Sequence, residues 1–413
     1  MIEKRVAPAS IPLFASLKFH DFRMMWIGLL ISNLGSWMQL TATGYFIAKL
    51  AGSGETAALY LGFQGIARAV PVVLLSPVGG LVADIYRRRK ILFMTNIAMA
   101  LIALVLAVLT TLGLMNIFGL IAISALNAAA QSFDSPVRQS WVPLLVDREY
   151  IGNAIGLNSV AFNAPAVIGP AVAGILIASI GIAGSFYINA VATLAVVVAL
   201  LFMQEAPPSA KRPEAFLPSV VQGLHFLFSH AILKWIITVF ILTALLVRPY
   251  STLLPAFAVN LLHANARGLG IAIAATGVGG FAGALLTAYL GSHERRGTVW
   301  LISAVVMAAG VFALGYVEKL WQSLPILFVI GTATLAFLGQ SNTLIQTLSP
   351  EEVRGRAIAV YTMVALGLVP AGALVVGGIA ALTGLHWAFL FAGGITLIFI
   401  VFLWIYRPII RTV

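Results

Sequence analysis

Two arginines stand where a charge is costly. Arg68 lies within LGFQGIARAVPVVLL and Arg248 within ILTALLVRPYSTLLP. At membrane depth a charge costs at least about 2.5 to 3.5 kcal/mol, so each guanidinium needs a partner or a wet cavity. Neither stretch contains a carboxylate, so the chemistry expected of the pair is recognition of an anionic or metal-chelating ligand. Bonding to carbonyls near Pro71 and Pro249 is the structural alternative for either arginine. A second set of polar residues, Asn127, Gln131, Asp134 and Arg138, recurs at about one helical turn and shares one helix face. Asn342 and Gln346 repeat the four-residue spacing. In a third set Asp84 precedes Arg88 by four residues, within reach of a charge-assisted pair.

The elements that must position these residues follow from composition. Of 413 residues, 61% are hydrophobic and 9% charged, with a mean hydropathy of +1.03; soluble domains carry roughly 25% charged residues. An integral membrane protein is required. A soluble enzyme, a disordered tail and a nucleic-acid partner are excluded despite the net charge of +11, because so few charges cannot cover a water-facing surface. The absence of cysteine removes disulfides, thiolate metal sites and a cysteine nucleophile. The charged, proline-broken start MIEKRVAPASIPLFASLKFH lacks the pattern of a cleavable signal.

A bilayer core of about 30 Å takes roughly 20 helical residues per crossing. Twelve apolar segments result, near 24–50, 57–83, 91–112, 117–136, 153–180, 184–203, 232–259, 267–290, 298–316, 321–346, 356–383 and 386–406. They lack barrel-type alternation, so the expected class is all-α with twelve transmembrane helices. Nineteen of the 24 lysines and arginines fall on the side of the termini, and only Lys49, Arg267 and Lys319 lie in loops on the other. The positive-inside rule then places both termini in the cytoplasm. The polar stretch Gln204 to Ser219 and the interfacial segment after it, residues 204–231 together, divide the chain into halves 1–203 and 232–413.

The halves repeat. A shift of 203 residues pairs Gly169 with Gly372, Gly174 with Gly377 and Gly181 with Gly384; a shift of 208 pairs Gly62 with Gly270 and Arg87 and Arg88 with Arg295 and Arg296. Six spans return the chain to its starting side, so the repeats are parallel, as suits halves that rock about a midplane site. Gly277, Gly279, Gly280 and Gly283 are expected to let span 8 approach span 5 closely.

After span 2 the chain reads GGLVADIYRRRKIL. Gly80, Asp84, Arg88 and Arg89 resemble the loop signature of the major facilitator superfamily, with Ile85 and Arg87 departing from it. Span 5 reads GLNSVAFNAPAVIGPAVAG, and its Gly169, Pro170 and Gly174 resemble that superfamily's antiporter motif, with Pro165 and Ala173 replacing two glycines. SNLGSWMQLTATGYF, SPVRQSWVPLLV, RPYSTLLPAFAV and QSNTLIQTLSPEEVRGRAIAV resemble the enterobactin-exporter-like branch, the transmembrane secretion effectors, from about residue 20 to 405.

The resemblance implies a fold with spans 1, 4, 7 and 10 around a central cavity. Asn33, Trp37, Gln39, Gln64, Asn127, Gln131, Tyr250, Gln340 and Asn342 then join Arg68 and Arg248 as candidate substrate-binding residues. It also implies that Asp84, Arg88 and Asp134 lock the outward-open state, with Asp134 as the third partner of Arg88. The implied activity is proton-coupled export of a small anionic metabolite such as a siderophore across the bacterial inner membrane by a monomer, with broad drug efflux as the alternative. The chain lacks a phosphate-cradling loop ending in lysine and serine or threonine, so ATP is not the direct energy source. No cofactor or metal is expected. Asp134, Asp84 and Glu55 are the acids available to carry a proton. An integral-membrane enzyme is disfavoured for want of an HExxH or GxSxG pattern, and a receptor without flux remains open.

Overall fold

A computed structural model of the protein describes residues 12–204, 216–289 and 296–412. Among them every regular element is helical. The elements are α1 His20–Ala51, α2 Gly54–Ile85, α3 Arg88–Thr111, α4 Ile117–Trp141, α5 Ile151–Leu201, α6 Phe216–Ser229, α7 Leu233–Leu261, α8 Ala266–Tyr289, α9 Arg296–Leu314, α10 Leu320–Leu348, α11 Glu351–Thr383 and α12 Leu385–Tyr406. Ten of these stretches are long and apolar enough to cross a membrane. One of the ten, α5, holds two spans joined at Gly181, where φ 78° and ψ 176° break the helix. The remaining span is α1, 32 residues long and diluted by Asn33, Ser36 and Gln39. The expected twelve crossings are therefore present.

Local chemistry sets several boundaries. Ser53 caps α2 by accepting from the Thr56 N–H at 3.3 Å, and Asn116 caps α4 by accepting from the Gly119 N–H at 2.8 Å. Gly181 and Gly384 are the tight turns into spans 6 and 12, and both hold a positive φ that only glycine adopts without strain. α7 is interrupted by two π-helical turns, Thr243–Val247 and Phe257–Leu261. Pro249 explains the place of the first. A proline cannot donate to the carbonyl four residues back and its ring crowds it, so the preceding turn widens. The Arg248 N–H accordingly reaches Thr243 O, five residues back, at 2.8 Å.

The first six spans meet the last six along two seams, both on the side away from the termini. In one, Gly174 of α5 packs so tightly on α8 that an added Cβ would stand 2.6 Å from Ala266 O; Gly270 of α8 would meet Pro170 O at 2.6 Å. In the other, a Cβ on Gly377 of α11 would stand 2.5 Å from Ala58 O of α2, and one on Gly62 would stand 2.8 Å from Ala373 O. Glycines paired by the internal repeat thus make equivalent contacts. Gly169 and Gly372 do likewise, against Trp37 of α1 and Leu245 of α7. Towards the termini the glycines of the same helices, Gly152, Gly156, Gly355 and Gly367, face no described atom within 4 Å.

Two expectations change here. The glycine stripe of α8 serves α10 more than α5: Gly277 packs on Val167 of α5, but Gly279 and Gly283 pack on the Phe328 and Thr332 backbone and Gly280 on Leu335. A 3.6-residue period turns glycines at 277 and 279 to different neighbours. Asp134 is paired with Arg138, 3.0 Å away on its own helix, instead of with Arg88. An arginine one turn along reaches the carboxylate without crossing between helices.

Candidate functional site

A cavity of about 1060 Å³ lies between the two sets of six spans, just on the termini side of the seams. Eight helices line it, and the two glycine seams close it on the far side. Its wall from the first six spans carries Trp37, Gln64, Arg68, Gln131 and Asn163, and its wall from the last six carries Tyr250, Thr276 and Thr334. The remaining lining is largely aliphatic and aromatic. Among the described lining residues Arg68 is the one charged side chain.

Arg68 is placed by the helical period of α2, which turns Leu61, Gln64, Gly65, Arg68 and Val72 to the cavity together. Its guanidinium has no protein hydrogen-bond partner or counter-ion among the described residues. Gln64 is buried and its Nε2 donates to Ser124 Oγ at 3.3 Å. Behind these residues a recess of about 50 Å³ opens, lined by Gln39, Gln64, Arg68, Ser124, Asn127 and Gln131 among others. Asn189 Nδ2 donates to Gln39 Oε1 at 2.5 Å, which leaves the Gln39 amide nitrogen as its free donor.

The other expected residues separate from this group. Arg248 is absent from the lining: its guanidinium stands 5.9 Å from the Phe240 ring centre, and its buried Nη1 has no hydrogen-bond partner. Arg248 closes the π-turn Thr243–Val247, while Tyr250 and Ser251, just after it, line the cavity. Asn33 Nδ2 donates to Ala161 O at 2.9 Å and ties α1 to α5. Gln340 is buried with Oε1 unpartnered, and Asn342 is hydrogen bonded to Gln346 along α10. Neither lines the cavity. Thus Trp37, Gln64, Arg68, Gln131 and Tyr250 meet there, Gln39 and Asn127 share the recess, and Asn33, Arg248, Gln340 and Asn342 do not join them. Asn163, Thr276 and Thr334 were not anticipated. Asn163 stands alone two residues before Pro165, and the threonines lie among glycines and alanines without a polar period.

The charged loop is only partly described. The side chains of Gly80 and Asp84 lie outside the described residues. Arg88 is buried, with Nε donating to Ser140 Oγ at 3.3 Å, and Arg89 Nη2 donates to Leu201 O at 3.2 Å. Asp134 accepts from Asn96 Nδ2 at 2.7 Å, lies 3.3 Å from Thr95 Oγ1 and holds Arg138, off the cavity wall. Gly169, Pro170 and Gly174 sit where α5 meets α1 and α8.

Comparison with known proteins agrees with this geometry. Residues 11–412 match the family described as transmembrane secretion effector. The enterobactin exporter EntS of Citrobacter koseri is 28% identical over 391 residues, covering 89% of this chain and 87% of that protein. The multidrug efflux pump Tap of Mycolicibacterium fortuitum is 23% identical over 376 residues, covering 87% and 89%. A POT family transporter superposes with a TM-score of 0.73 at 12% identity, covering 94% and 96%. A bacterial homologue of the lysosomal transporter Spinster, solved inward-facing and unoccupied, gives 0.71 at 14%, covering 95% and 97%. Those likenesses bear on the fold.

Proposed function

Because the chain belongs to the transmembrane secretion effector family of the major facilitator superfamily, and is therefore a multi-pass membrane transporter and not an enzyme, we propose that it is a proton-driven exporter. Its substrate is a small anionic metabolite of the kind siderophores represent, moved across the bacterial inner membrane by a monomer in the lipid bilayer with both termini cytoplasmic. The six-helix halves 1–203 and 232–413, joined by 204–231, rock about the cavity. The face now reached from the termini side is then the cytoplasmic one. Gly80, Asp84, Arg88 and Arg89 hold the outward-open state, and Gly169, Pro170 and Gly174 form part of the opposite seam. Asp134, Asp84 and Glu55 are the candidate proton carriers.

One observation carries the substrate assignment: Arg68 faces the cavity with no acid beside it among the described lining residues. An unpaired cation in an apolar chamber favours an anion and repels a cation. The 28% identity to an enterobactin exporter points the same way. The largely apolar lining and the likeness to a multidrug pump favour a second reading, broad drug efflux.

Thermal stabilisation separates them, because a ligand that binds only the folded state raises Tm. Purified protein is heated with catecholate and carboxylate chelators or with lipophilic cations. Stabilisation by the anions, lost in Arg68→Ala, is expected. Stabilisation by the cations alone, unchanged in that variant, would establish the drug-efflux alternative.

A further inference from the structure

The cavity and the recess behind Arg68 differ in character, and the difference specifies a ligand. The recess presents the Arg68 guanidinium with the amides of Gln39, Gln64, Asn127 and Gln131 and no described acid. With its Oε1 engaged by Asn189, Gln39 offers N–H to the recess. Its volume of about 50 Å³ exceeds the roughly 10 to 15 Å³ needed for one water several-fold, which is room for a carboxylate-sized group.

The large chamber offers the reverse. Three of its hydroxyls on the last six spans are turned to their own helices: Ser251 donates to Arg248 O, Thr276 to Ala272 O and Thr334 to Ile330 O, which leaves the Tyr250 and Thr252 hydroxyls as neutral donors there. Between them Val72, Val167, Ile273, Phe281 and Leu335 form an apolar wall. Arg248, the other cation at this depth, is off the lining. A second anionic group on the ligand would therefore be desolvated without a cationic partner.

We infer that the recess is a headgroup site and that the ligand is an amphipathic monoanion: one carboxylate-sized anionic group held by Arg68 and the amides of the first six spans, with an apolar body filling the chamber against α8 and α10. This deepens the export assignment and rests on it for direction. Among anionic metabolites, a multiply charged hydrophilic chelator then binds more weakly than a monoanion with an apolar body.

The test uses one body with different heads: 1-pyrenebutyrate, 1-pyrenebutanol, a trimethylammonium analogue and a pyrene bearing two carboxylates. Binding to the full protein in lipid nanodiscs is read by energy transfer from tryptophan, Trp37 being in the wall. The monocarboxylate is expected to bind about tenfold or more tighter than the alcohol, as a charge-assisted bond allows, and tighter than the dianion. Arg68→Gln should abolish that preference while the alcohol still binds, which also shows that the variant is folded. Arg68→Lys should keep part of it. Equal affinity for carboxylate and alcohol, stronger binding of the dianion, or a preference that survives Arg68→Gln would overturn the inference. Flux into proteoliposomes is measured separately: flux without headgroup preference leaves export standing and removes the recess, and Arg68-dependent binding without flux does the opposite.

Discussion

Gly377→Ala should move the protein out of the conformation described here without unfolding it. The added methyl would stand 2.5 Å from Ala58 O and 3.1 Å from Ala58 C, both backbone atoms of α2. Backbone cannot rotate aside as a side chain can, so the seam between α2 and α11 must part. Overpacking of this kind costs about 1 to 3 kcal/mol. The cost falls on the state in which the seam is shut, because parting α2 from α11 takes residue 377 away from Ala58. At 1.4 kcal/mol per decade the equilibrium shifts about 5- to 150-fold towards that state. The chain has no cysteine, so spin labels go onto Lys49→Cys and Thr383→Cys, exposed positions at the far ends of α1 and α11, and pulsed electron resonance reads their separation. Gly378→Ala is the control, since its methyl meets nothing within 4 Å while gaining the same helix propensity. The longer distance should grow in Gly377→Ala and not in Gly378→Ala. Identical distributions in the two variants would refute the seam as the closed gate.

Other consequences are open to direct measurement. Asp134→Asn leaves the buried Arg138 without its counter-ion while Asn96 can still donate to residue 134, so stability should fall by about 3 to 5 kcal/mol. The double variant Asp134→Asn, Arg138→Gln should recover most of the loss in Tm. Gly181→Ala and Gly384→Ala each force an L-residue to φ near 78° and 91°, a strain of about 1 to 3 kcal/mol; their Tm losses should be similar, because the two positions are equivalent turns of the repeat.

Amino-acid sequence alone determined the membrane class and the helical spans, because both rest on local quantities. Lipid demands long apolar helices wherever the chain crosses, and glycine at 181 and 384 is required by a φ that the turn itself imposes. It also singled out Arg68 as a candidate, since an uncompensated charge in an apolar run is visible without coordinates. What it could not supply was the direction in which a helix turns each residue and which neighbour stands there. Arg68 and Arg248 read alike, both in apolar helices at one depth, yet Arg248 points to the Phe240 ring and is off the cavity wall while Arg68 is on it. Asp134 read as a partner of Arg88 and is held by Arg138, Asn96 and Thr95. The recess behind Arg68 draws Gln39, Gln64 and Asn127 from three helices. Such a meeting depends on helix rotation and crossing, which arise from packing over the whole bundle and leave no periodic trace in any one segment.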